Sequence, residues 1–152
     1  MRLVGVGLSL WGPQTTEQLG LRFGQLGLNV LSCERIEYPT WAFFGEAPTN
    51  SDTSMPLDQA ATLCIGQIVS AVERLTPAER EWLAECRFRK LQIGVTFLAD
   101  IAHSARLDID PNLSQRLAAA GIEPQIRTFP EPLDNIDAMN MPQAWAKRIR
   151  RV

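Results

Sequence analysis

The sequence predicts an α+β fold, a mixed or antiparallel sheet with two β-α-β-like halves and a central helical pair packed on one face. Three observations carry this expectation. Leu91, Ile93, Val95 and Phe97 alternate along a Leu91–Leu98 strand, the period of a pleated chain with one buried face. Ala61, Cys64, Ile68, Val72 and Leu75 recur at three- and four-residue intervals, the stripe of a buried helix face. The segments 3–33 and 91–129 share one order: strand, capped helix, helix-ending glycine, strand.

Leu3 to Leu10 is rich in Val, Leu and Gly and stops at Gly12-Pro13, as a strand before a breaker does. Thr15 or Thr16 supplies a hydroxyl for the free amides of a helix start, and Leu19, Phe23 and Leu26 form its apolar face up to Gly27. A second strand is read over Leu28–Ile36, and an extended segment over Tyr38–Phe44, broken at Pro39. Glu46 to Pro56 is polar, contains proline and has no apolar period, so it is expected as an exposed, mobile loop. A helix starting near Leu57 or Asp58 follows. Thr76-Pro77-Ala78-Glu79 restarts it with a capping box, and Trp82 and Leu83 are expected to point inward.

After the Leu91–Leu98 strand, Ala105–Ile109 is read as its neighbour. Asp110-Pro111 opens a helix through Leu113 and Leu117 that ends at Gly121, and Gln125–Phe129 returns as a strand. Residues 1–133 are read as a single domain. Residues 134–152 are read as a C-terminal tail with a short helical stretch from Pro142 to Arg151, whose basic residues are taken as a solvated face.

The 152 residues suffice for one core without disulfides or metal. Apolar residues form 45% and charged residues 21%, the balance of an ordinary globular chain. Seventeen acidic against fifteen basic side chains give a net charge of −2, which supplies no field for a polyanion and argues against a nucleic-acid partner. No run approaches the roughly 20 apolar residues of a spanning helix, so no membrane role is expected. Cys33, Cys64 and Cys86 are odd in number and widely spaced, which fits a reducing cytoplasm.

No catalytic constellation is legible, and the chain is read as a non-enzyme without cofactor or metal. Gly5-Val6-Gly7 fails as a dinucleotide fingerprint because Leu10 stands where the third glycine belongs; small residues for close helix packing explain it better. His103 is the only histidine, and Asp100 and Ser104 are too near it in sequence to form a triad. Asp108 and Asp110 share a strand face as paired carboxylates would, but Asp110 before Pro111 reads as a helix cap. Cys86 beside Arg87 and Arg89 has cations that lower a thiol pKa but lacks an activating base, and Cys64 lies on the apolar stripe.

The densest aromatic and acidic cluster is the candidate partner-binding site: Glu34, Glu37, Tyr38, Trp41, Phe44, Glu46 and Asp52, with Phe43 beside them. Aromatic rings give large, rigid contact area, and carboxylates steer a basic partner. The competing reading packs the rings inside a strand pair and leaves the acids as solvated charge.

The C-terminal half, RFRKLQIGVTFLADIAHSARLDIDPNLSQRLAAAGIEPQIRTFP, resembles the closing strand, strand, helix, strand unit of a bacterial domain-of-unknown-function family. Its members show phrases such as LSLSPELLRRLAALGASLDIDIY, matched here by Leu107 to Phe129, and the helix carrying Arg74-Leu75-Thr76-Pro77 also fits. Small cytosolic proteins of this kind are found near polymorphic-toxin genes. The resemblance implies an immunity protein that occludes a cognate toxin, a basic one given the acidic cluster, and it carries no catalytic residues. The alternative function is a small-ligand-binding or regulatory domain with its ligand between sheet and helices, and the third reading, ranked last, is a hydrolase or transferase whose residues are not recognised.

Overall fold

A computed structural model describes residues 2–48, 55–98 and 107–150. The elements in chain order are β1 (Arg2–Gly12), α1 (Thr15–Gln25), β2 (Asn29–Glu37), β3 (Thr40–Glu46), α2 (Leu57–Glu73), α3 (Pro77–Glu85), β4 (Phe88–Leu98), α4 (Pro111–Ala119), β5 (Glu123–Glu131), α5 (Asn135–Met139) and α6 (Gln143–Arg150). The architecture is α+β, with five strands in the order β2-β3-β1-β4-β5. Strand β1 pairs antiparallel with β3 and β4, β2 pairs antiparallel with β3, and β4 and β5 are parallel.

Two β-α-β units are therefore present, and they differ. In β4-α4-β5 the helix joins adjacent parallel strands; in β1-α1-β2 the two strands run the same way with β3 between them. Both helices end at a glycine in the left-handed region, Gly27 with φ +104° and Gly121 with φ +69°, where a side chain would be strained. Thr76 accepts from the Glu79 amide and Glu79 returns a carboxylate to the Thr76 amide, the reciprocal box that starts α3. Asp110 caps α4 through the Asn112 amide at 2.7 Å. Neither Thr15 nor Thr16 caps α1: Thr16 is buried against the Cys86 sulfur, and Thr15 reaches Glu85.

The alternation along β1 places Val6, Leu8 and Leu10 on the face covered by helices, where they join Leu19 and Phe23 of α1, Ile65 and Ile68 of α2 and Leu117 of α4 in one core. A bulge between Leu3 and Gly5 reverses the phase, so Val4 belongs to a second cluster on the other face. That cluster contains Phe44, Phe129, Trp145 and Ile149. Residues 134–150 are accordingly no loose tail. They form α5 and α6, and α6 docks on the sheet with Trp145 fully buried.

Two further expectations are corrected. The neighbours of β4 are β1 and β5, and residues 107–109 lie outside any strand, so the Ala105–Ile109 strand is not found over its described part. Glu46 belongs to β3, and it and Ala47 are buried, so the exposed loop does not begin there. The reason is that β3 continues to its pairing with Gly7 before the chain leaves the sheet.

Candidate partner-binding site

The register divides the aromatic and acidic cluster among three environments. Glu34, Ala42 and Trp11 are directly opposed across β2, β3 and β1, so their side chains share the face that α6 partly covers. Two strand spacings put Trp11 and Glu34 about 10 Å apart. Glu37 pairs with Thr40 on that same face, beyond a bulge after Arg35. Trp41 lies opposite Arg35 and Gly12 on the helical face, and Tyr38 stands at the β2–β3 turn, 82% exposed.

Phe44 and Glu46 are not surface residues. Phe44 is packed edge-to-face on Trp145 with ring centroids 5.4 Å apart, and Glu46 is 1% exposed. The Glu46 carboxylate accepts from the Trp145 indole at 2.9 Å and from Arg148 in a two-pronged ion pair, one prong being 2.8 Å. Arg148 also donates to the Val4 carbonyl at 3.1 Å. A buried carboxylate is tolerable only when it is paired in this way. Its role is to fasten α6 to β3, which removes it from any partner-binding surface. Asp52, Asp100, His103 and Ser104 lie outside the described residues.

Trp145 fits because the strand floor beneath it has no side chains. Gly5 and Gly94 are register partners, and a Cβ built on either would fall 2.6 Å and 2.5 Å from the indole. Phe44 lies over Gly7 in the same way. The Gly5-Val6-Gly7 run thus serves close packing.

Beyond α6 the same face is open. There Trp11 stacks on Phe88 at 4.9 Å, Lys90 stands 5.9 Å from the Phe88 ring centre, and Trp11 remains 46% exposed. With Glu34, Glu37 and Tyr38 these groups form an exposed aromatic surface with acids along its β2 side. Sequence reading missed Trp11 and Phe88 because each stands alone in its segment; only the β1–β4 register, which opposes them directly, makes the pair.

None of the thiols is an activated nucleophile. Burial pushes Cys64 and Cys86 up, and for Cys86 it outweighs the lowering contact with Thr16 and the nearby Arg89 charge. Cys33 is raised by burial and by Glu17. Among the described residues no three His, Cys, Asp or Glu side chains converge as a metal site, and no helix is long and apolar enough to cross a membrane. Compared with family models, curated proteins and solved structures, the chain matches none.

Proposed function

We propose that the protein is a binding module of the immunity type, which neutralises a basic toxin by covering it with the open part of the sheet face. The observation that carries this reading is the Trp11–Phe88 stack left at the surface beside an acidic edge strand. A stacked aromatic pair is a large, rigid, low-entropy contact of the kind that dominates interface energetics. Glu34 and Glu37 border it on β2, where they raise the encounter rate with a cation-rich partner. The resemblance of residues 107–129 to immunity-like proteins supports the same reading. Cytoplasmic residence belongs to it, since an immunity protein of this type meets its toxin there.

The test is a one-to-one complex with the product of the adjacent gene, followed by association kinetics. Glu34→Lys with Glu37→Lys should slow association at least tenfold at low salt and leave the melting temperature unchanged. Trp11→Ala should mainly accelerate dissociation. Unchanged affinity in both variants would remove this face from the binding mechanism.

A further inference from the structure

On the opposite, helical side of the molecule lies a cleft of about 720 Å³, within the size range of small-molecule sites. It is lined by the outward side of α2, the α1–β2 turn at Leu26–Leu28, and the first turns of α4. It is not in the sheet–helix space where a ligand was expected from sequence, which the core side chains occupy.

Three features distinguish this cleft. Gly66 sits in the middle of α2, where glycine weakens a helix relative to alanine, and yet a Cβ built there meets nothing within 4 Å. No packing partner requires the missing side chain; its absence deepens the cleft. Next to it, the Gln67 side-chain oxygen is buried without a hydrogen-bond partner, the one such side-chain atom among the described residues. A buried acceptor left unmade is costly, and a molecule entering the cleft can supply the donor. Two turns on, Arg74 is exposed and has no ion pair among the described residues. The other charges of the lining are engaged, Arg116 with Glu73 and Asp110 with the Asn112 amide.

Gln67 and Arg74 are separated by seven residues, about 10 Å along the helix axis. Leu26, Leu28, Leu63 and Leu113 provide apolar lining. We propose that the cleft binds a small apolar molecule carrying an anionic group for Arg74 and an N–H or O–H donor for Gln67. This site is independent of the partner-binding face and stands whether or not that face binds a toxin.

The probe is 8-anilinonaphthalene-1-sulfonate, which has a fused apolar ring system, a sulfonate and an anilino N–H. Fluorescence titration of the folded full chain should show one saturable site, and amide chemical-shift mapping should place the largest changes at Gly27, Gly66, Gln67 and Ser70. Gly66→Leu, which fills the cleft and favours the helix, should weaken binding at least tenfold without lowering the melting temperature. Arg74→Ala and Gln67→Leu should each weaken it severalfold. Should Gly66→Leu fail to fold, Gly66→Ala combined with Arg74→Ala gives the same test. Absence of saturable binding, unchanged affinity in the filled variant, or shifts confined to the Trp11 and Phe88 face would each overturn the proposal.

Discussion

The Glu46 carboxylate decides which reading of a single acidic residue holds. In sequence it stands among Glu34, Glu37 and aromatics, and nothing local separates it from them; its partners Trp145 and Arg148 are about a hundred residues away. Glu46→Ala strands a guanidinium and an indole N–H in a largely dry site, and the expected loss is about 3–5 kcal/mol by urea unfolding. Glu46→Gln keeps an acceptor for the indole and should lose less, so equal losses would refute the hydrogen-bond account. The glycine floor makes a second prediction. Gly94→Ala forces a methyl group into the indole, with an expected cost of about 1–3 kcal/mol. In a Trp145→Leu background the clash partner is gone, so the same substitution should cost markedly less, and additive energies in the double-mutant cycle would exclude the contact as its cause.

Ion pairs between elements set the response to acid. Arg116 of α4 holds the Glu73 carboxyl of α2 below its ordinary value through hydrogen bonding, and Arg2 of β1 does the same for Glu131 of β5. Glu79 is lowered chiefly by the Thr76 amide at the start of α3. A carboxyl lowered by folding contributes stability above the ordinary carboxylate range and loses it as pH falls through the folded value. Unfolding free energy should therefore decline from about pH 5 downward, and Arg116→Ala should flatten part of that decline. Glu73 is exposed, and Glu79 and Glu131 are partly covered at the surface, where solvent still screens an ion pair, so each effect is small; a pH profile unaltered by Arg116→Ala would remove the α2–α4 pair from the account. At this scale most elements were legible before the structure. The capping box at Thr76, the Asp110-Pro111 start and the glycine stops are local rules, and local rules are written locally. After Pro130 the short helix expected over Pro142–Arg151 is present as α6, but its docking on the sheet was not foreseen. There Trp145, Ala146 and Ile149 make a short apolar stripe among basic residues, and the basic residues dominated the reading.

For the whole molecule, the pairing of strands was not written in any one segment. Periodicity predicts the β1 and β4 strands but not that Leu8 faces Leu91, and the open aromatic face follows entirely from that register. The candidate site was legible in half: Glu34, Glu37 and Tyr38 keep their accessibility, while Trp41 turns to the helical side and Phe44 and Glu46 are covered. Solvent exposure of an acid depends on what lands on it, and here the covering element comes from the far end of the described chain. The docking of α6 also orders events during synthesis. Strands β1 to β5 are complete by residue 131, whereas Trp145 and Ile149 follow later. As the chain is translated, Val4, Phe44 and Phe129 stand bare on a finished sheet until the ribosome releases residue 149. A nascent chain with such a face exposes apolar surface to its neighbours, and slow decoding of codons 132–149 would prolong the interval in which two unfinished chains can stick together.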